Sequence, residues 1–280
     1  MLTTRLALLA FAFVLANAEF HPQFATYLRK AYGVETLRKL SRPELGKHNQ
    51  GSFGGGKGHD GHRPVVIVHG LRSMAGALWN QRKIFAENGF SSERIIATTY
   101  GPGETLSPLV FKETMECKYV KQIRQIIEST IKYYHSKIDV VGLSMGSPIA
   151  RKAIMGGNCV DTNEYIGRSL THHIVTFLSV GGANHGSVYC GVPLPGVCNN
   201  VNGLHCKSKF LRDINDSKMR VAKHIHSIAS TTDEITGFLS PCGGKIHQFL
   251  GAEEILHTGK THEQVLFGTI QQQADILKRH

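Results

Sequence analysis

Short β-branched apolar runs alternating with amphipathic stretches point to an α/β chain, with a mostly parallel central sheet, helices on both faces and a small cap domain or none. Three observations carry this reading. Apolar runs of strand length recur along the chain, helix-period patterns separate them, and glycine-bearing turns punctuate the junctions.

Taken in order, the chain opens on "MLTTRLALLAFAFVLANAEF". Arg5, a short apolar core from Leu6 to Leu15 and the small-x-small site Ala16-Asn17-Ala18 predict a secretory signal peptide over 1–18, cleaved after Ala18. The apolar core is about half the length that spans a bilayer, so no transmembrane anchor is expected. Residues 19–62 hold a helical patch, "FATYLRKAYGVETLRKL", and then "GSFGGGKGHDGHR", expected to be a flexible glycine-rich linker. From residue 63 to 280 the pattern is that of one α/β domain. "PVVIVHG" is the first buried strand, a helix follows over 75–88, and "RIIATTY" is the second strand. A long helix places Val120, Ile123, Ile127, Ile131 and Tyr134 on one face. "KIDVVGL" is the third strand, "IARKAIMGG" a glycine-capped helix, "HIVTFLSVGG" and "HIHSIAST" the fourth and fifth strands, and "THEQVLFGTIQQQADILKR" a closing helix.

Composition excludes several classes. The formal charge is +11, but the basic residues are scattered and no recognition motif accompanies them, so nucleic acid is not an expected partner. A basic surface suits either an anionic lipid surface or simple dispersal in solution. The six cysteines (Cys117, Cys159, Cys190, Cys198, Cys206 and Cys242) all follow the signal, and an even count in an oxidising compartment predicts three disulfides. Proximity in sequence pairs Cys190 with Cys198, and Cys117–Cys159 with Cys206–Cys242 is the expected arrangement of the other four. No C-x-x-C spacing suggests zinc, and no metal or cofactor is expected. Gly51 to Lys57 fits G-x-x-x-x-G-K, but Gly58 stands where Ser or Thr would ligate magnesium, and no strand precedes it. His59 and His62 are expected to be solvated. Asn215-Asp216-Ser217 is the one glycosylation sequon, which would lie at the surface if used.

The chemistry centres on Gly142-Leu143-Ser144-Met145-Gly146, a glycine-spaced serine directly after an apolar strand and directly before a helix. So tight a turn needs minimal side chains two positions either side of the serine, and Pro148 fits the first helical turn. The helix N-terminus aims N–H groups at any oxyanion formed on Ser144. An acid and then a base should follow in the chain. Asp233, past the fifth strand in a Ser/Thr-rich loop, is the candidate acid, with Glu234 as its neighbour and Asp213 and Asp216 as weaker rivals. His262 at a loop-to-helix junction is the candidate base, with His247 in a strand-like run and His257 in the loop as rivals. His69 ends the first strand and is expected to shape the turn. The N–H groups of Leu71 and Met145 are the candidate oxyanion donors. This constellation predicts acyl transfer to Ser144, with activity falling on acidification as His262 protonates.

The stretches "PVVIVHGLRSMAGALW", "DVVGLSMGSPIARKAIMGGNCVDT", "SVGGANHGS", "STTDEITG" and "KTHEQV" resemble the class 2 lipases of the α/β-hydrolase superfamily, most closely their secreted nematode branch. The resemblance implies the α/β-hydrolase fold and hydrolysis of carboxylic esters or acylglycerols, with Ser144 as nucleophile, Asp233 as acid and His262 as base. A non-catalytic lipid-binding homologue, or an acyl hydrolase acting on amides or thioesters, is the alternative. The segment "SVYCGVPLPGVCNNVNGLHC" departs from the small bacterial relatives. Its apolar residues, Val188, Tyr189, Val192, Pro193, Leu194 and Val197, are candidates for an acyl-chain wall or short lid, against a purely structural disulfide loop.

Overall fold

The computed structural model describes residues 20–46, 51–58, 61–103 and 112–280. The signal-peptide assignment and His59 therefore lie outside the described residues. Among these residues the sheet has seven strands: β1 (Ser52–Phe53), β2 (Val65–Val68), β3 (Ile95–Thr98), β4 (Ile138–Leu143), β5 (Ile174–Val180), β6 (His224–Ser230) and β7 (Glu253–His257). Their order is β1-β3-β2-β4-β5-β6-β7, and only the β1–β3 pair is antiparallel. Residues along β2 and β4 are buried throughout, as expected where helices cover both faces of a parallel sheet.

The helices are α1 (Pro22–Tyr32), α2 (Val34–Ser41), α3 (Trp79–Glu87), α4 (Cys117–Tyr134), α5 (Gly146–Met155), α6 (Lys209–Asn215), α7 (His262–Leu266) and α8 (Ile270–Lys278). On one face α1, α4, α5 and α6 pack Phe24, Leu28, Ile123, Ile127, Ile149 and Phe210 against the sheet. On the other, α3, α7 and α8 bring Phe85, Val265, Ile270 and Leu277 onto Val65, Ile67, Val141 and Leu178. This two-faced burial is the main source of stability, since each fully buried aliphatic side chain contributes about 1.5–3 kcal/mol.

Several elements differ from the sequence expectation. The glycine-rich stretch is not a flexible linker: residues 51–56 are buried and Ser52–Phe53 pair with Thr98 and Ala97 at the sheet edge. Glycine serves packing there. A Cβ on Gly54 would run into the Ile95 carbonyl and one on Gly55 into the Phe24 ring, so only bare backbone can approach so closely. The same stretch is no phosphate loop, because strand β1 runs through it and the Gly58 N–H is already bonded to Glu93 Oε2 (3.0 Å). The N-terminal helical patch breaks at Gly33 (φ 87°) into α1 and α2. The closing helix breaks between α7 and α8, where a Cβ on Gly268 would come within 2.6 Å of the Gln264 carbonyl. Strand β7 was not anticipated. His257 ends it instead of lying in a loop, and His247 lies in a turn instead of a strand. Half-exposed β7 carries Glu253, Glu254 and His257, so its apolar signal is weak.

The disulfides are Cys117–Cys159, Cys190–Cys198 and Cys206–Cys242, the expected pairing. Among the described residues no helix is long and apolar enough to cross a membrane.

Candidate active site

Strand β4 ends at Leu143 and α5 begins at Gly146, leaving two residues to reverse the chain. Ser144 takes the left-handed conformation (φ 51°) that side chains avoid. The glycines make room for it. A Cβ on Gly142 would sit 2.6 Å from Ser147 Cα, and one on Gly146 would meet the Val68 and His69 carbonyls. Gly70 lies under the serine, where a Cβ would approach Ser144 Cβ to 2.9 Å. The strained residue is held by its own backbone: Ser144 N–H donates to Val180 O (2.9 Å), and its carbonyl accepts from Ser147 N (3.1 Å) and Ala183 N (3.2 Å).

Ser144 Oγ lies 3.1 Å from His262 Nε2, and His262 Nδ1 lies 2.7 Å from Asp233 Oδ2. All three residues are buried. His262 is the first residue of α7, which a Thr261–Gln264 capping box fixes. Its backbone N–H donates to Glu234 Oε2 (2.9 Å), so Glu234 braces the helix start while its neighbour Asp233 meets the ring. Asp233 Oδ1 accepts from the N–H groups of Ile235 and Thr236 (2.9 Å each), and Oδ2 from Thr236 Oγ1 (2.8 Å). Burial alone would raise the Asp233 carboxyl. The hydrogen bond and charge of His262, with the Thr236 and Ile235 donors, outweigh burial and hold it below the ordinary carboxylate range.

The rival residues are engaged elsewhere. His247 Nε2 pairs with Glu254 (2.9 Å), His257 Nε2 with Gln272 (2.8 Å), and Asp213 with Lys152 (2.7 Å), while Asp216 is exposed. His62 stacks on Phe90 at 4.5 Å instead of standing free in solvent. His69 is buried at the end of β2. Its Nδ1 donates to the Gly70 carbonyl (2.8 Å) and its Nε2 accepts the Tyr100 N–H (3.1 Å). A carbonyl only accepts and an amide N–H only donates, so these contacts fix the tautomer.

Above Ser144 opens a cleft of about 780 Å³, lined mainly by apolar side chains including Val197, Leu204, Ile235, Leu266 and Phe267. Leu71 and Met145 both line it beside Ser144. Among the described residues neither backbone N–H donates to a backbone carbonyl. Of the proposed wall residues, Tyr189 lines the cleft. Val192 and Leu194 do not, and stand 62% and 54% exposed. Val197, another of the segment's expected apolar residues, lines the cleft as well, and so does Leu204, which was not singled out. Spacing from the two cysteines did not distinguish the inward from the outward side of so irregular a loop. Ile235 and Phe267 were also missed, as apolar residues beside the acid and base with no pattern to mark them.

Two clusters of metal-type side chains occur among the described residues, His205 with Cys206 and Cys242, and Asp161 with Cys117 and Cys159. In both the sulfurs are in disulfides, which removes the thiolates a metal would need.

A family model described as lipase (class 2) matches residues 62–275. Among solved structures, the chain is similar to Aspergillus fumigatus lipase B (TM-score 0.55, 16% identity, 77% of this chain and 52% of that one). It is similar also to Bacillus licheniformis lipase BlEst2 in its mature form (TM-score 0.55, 16% identity, 81% and 96%). The chain thus spans about half the length of the Aspergillus protein and nearly all of the mature Bacillus one. At these identities the likeness establishes the α/β-hydrolase fold. No curated protein sequence matches the chain.

Proposed function

Because the chain belongs to the class 2 lipase family, we propose that it is a secreted serine hydrolase cleaving carboxylic esters, acylglycerols in particular, through an acyl-enzyme on Ser144. The observation that carries this is the relay from Ser144 Oγ to His262 Nε2 (3.1 Å) and from His262 Nδ1 to Asp233 (2.7 Å), set on a strand-to-helix turn beneath an apolar cleft.

In this reading His262 takes the Ser144 proton as Oγ attacks the ester carbonyl, and Asp233 holds the ring in the Nδ1–H tautomer and stabilises the imidazolium. The N–H groups of Leu71 and Met145 receive the oxyanion of the tetrahedral intermediate. His262 then protonates the leaving alcohol, and water, activated by the same imidazole, releases the acid. In this reading residues 63–280 form the catalytic domain, and 19–62 are an N-terminal segment packed into the same core and sheet. Three disulfides and the N-terminal signal pattern support secretion. The formal charge, +11 with Arg5 and +10 once the signal is removed, suits an anionic lipid surface as the place where substrate is met.

Turnover of p-nitrophenyl esters of graded chain length by the parent and by Ser144→Ala tests the reading. Ser144→Ala is expected to lose turnover by about 10³-fold or more while staying folded. Equal rates for the two proteins would overturn it.

A further inference from the structure

The loop 181–185 leaves the end of β5 and touches both the serine and the histidine of the relay. Its Ala183 N–H donates to the Ser144 carbonyl (3.2 Å). Its Gly181 packs so closely that a Cβ there would come within 3.2 Å of His262 Cε1. Both contacts come from backbone, so something else must fix where that backbone lies.

Asn184 does this. Its side chain is fully buried, and both ends of its amide are engaged. Oδ1 accepts from Arg151 Nη1 (3.1 Å) and lies 3.0 Å from Ser147 Oγ, on the helix that starts at the elbow. Nδ2 donates to Ser179 Oγ (3.0 Å) on β5 and to the His247 carbonyl (3.3 Å) between β6 and β7. The Asn184 carbonyl accepts from Asn215 Nδ2 (2.8 Å) at the end of α6. One residue thereby ties the loop to strand β5, to the turn at His247 and to two helices. Arg151 raises the stakes: it is buried, its Nη2 donates to the Ile214 carbonyl (2.9 Å), and it lies 4.2 Å over the Phe249 ring. Among the described residues no carboxylate pairs with it, so Asn184 Oδ1 supplies one of its few acceptors. Truncating the amide would leave the buried Arg151 Nη1 without its acceptor and Ser147 Oγ with Ser179 Oγ (2.8 Å) alone.

We infer that Asn184 is a positioning residue, whose amide locks the 181–185 loop so that Ala183 holds the strained Ser144 backbone and Gly181 seats the His262 ring. The inference rests on the reading of Ser144 as the nucleophile. A residue held at positive φ keeps that conformation only while its surroundings over-determine it. Releasing the Ala183 N–H removes one of the two donors to the Ser144 carbonyl, and a displacement of Oγ well under a bond length already impairs attack.

The test compares Asn184→Ala, Asn184→Asp and the milder Ser147→Ala, using two readouts: amide hydrogen exchange across residues 142–147 and 178–186, and ester turnover normalised to folded protein. Asn184→Asp keeps the acceptor for Arg151 and Ser147 and lets Ser179 Oγ turn to donate to it, but gives up the donor to the His247 carbonyl, which retains Ser227 Oγ (2.9 Å). Asn184→Ala is expected to exchange faster in both segments and to lose about 10- to 100-fold in kcat, with KM within about twofold. Asn184→Asp recovers part of that loss, and Ser147→Ala shows the same signature at about three- to tenfold. Unchanged exchange at 142–147 in both alanine variants would overturn the inference. So would a kcat loss that disappears on normalisation, or an aspartate variant no better than alanine. If Asn184→Ala does not fold, Ser147→Ala and Asn184→Asp decide on the same criteria. A parent without Ser144-dependent turnover defeats the functional reading alone, because the exchange readout still decides whether Asn184 locks the loop.

Discussion

Acidification should destabilise this protein through a residue that touches no substrate. His69 is buried, and its Nε2 is committed to accepting the Tyr100 N–H while its ring stacks on Tyr100 at 4.2 Å. Protonation would turn that nitrogen into a charged donor facing another donor. Burial, the largest influence, lowers the His69 imidazole to about 4, against the favourable Gly70 hydrogen bond and with a smaller push from Arg42. A histidine with a depressed folded value binds its proton more readily when unfolded, so its contribution is full above the unfolded value, about 6.5. That contribution is then lost as pH falls toward the folded one. With folded and unfolded values of about 4 and about 6.5, the loss is about 2 kcal/mol by pH 5 and about 3 kcal/mol by pH 4. For a chain of this size each kcal/mol moves Tm by about 2–4 °C. The assay is thermal or urea unfolding of the parent and His69→Gln at a series of pH values. Glutamine can accept from Tyr100 and donate to Gly70 without titrating. His226 and His247, also lowered chiefly by burial, act in the same direction. Glu113, raised by burial to about 7, acts in the opposite one, its contribution being lost as pH rises. All three are common to both proteins and cancel in the difference. His69→Gln should be less stable than the parent at neutral pH and close the gap below about pH 6. Parallel curves across that range would refute the assignment of the shift to His69.

Three further outcomes are expected. Asp233→Asn should lower kcat by about 10³-fold or more with little change in KM, since an amide favours the wrong His262 tautomer. It should also flatten the acid limb of the stability curve, because a depressed carboxyl contributes stability above its unfolded value and loses it only as pH falls through the folded one. Asn215 should carry no glycan when the protein is made in a secretory host, as its Nδ2 is bonded to the Asn184 carbonyl and its Oδ1 is buried. A mass shift on peptide-N-glycosidase treatment would contradict this, and Asn215→Gln should destabilise by about 1–3 kcal/mol in denaturant unfolding. Val197→Trp or Leu204→Trp should shift ester preference toward shorter acyl chains, whereas Val192→Ser and Leu194→Ser should leave the chain-length profile unchanged.

The strand-to-helix turn at Ser144 was legible because sterics leave so few residues able to form it. Gly142, Ser144 and Gly146 are readable as a unit, since Cβ atoms at 142 and 146 would strike Ser147 and the Val68 and His69 carbonyls. The order of acid and base followed from where strand ends deliver loops, which placed Asp233 beyond β6 and His262 at the start of α7. Where glycine's role is long-range the sequence is mute. Gly54 and Gly55 pack against Ile95 and Phe24, yet a cluster of glycines with a lysine has the composition of a linker. The cysteine-bearing segment fails for a different reason: without a repeat, nothing local distinguishes Val197, which lines the cleft, from Val192, which does not.

The site therefore combines two kinds of specification. Ser144, Gly142 and Gly146 follow from short-range geometry that one strand and one helix impose. The alignment of His262 with Ser144 is long-range, across 118 residues, and depends on loops that lack regular hydrogen bonding. Those loops are fixed by buried polar groups and by cross-links. Asp233 collects its own turn through Ile235 and Thr236, Ser187 Oγ then donates to the Ile235 carbonyl (2.6 Å), and the Val188 N–H to the Thr236 carbonyl (2.9 Å). Cys206–Cys242 ties the same two segments covalently. The cleft wall and Asp233, which meets the His262 ring, are thus parts of one cross-linked layer. Loosening the wall should disturb Asp233 as well as substrate fit, and the two effects separate because only the former lowers kcat on a short-chain ester that barely reaches the wall.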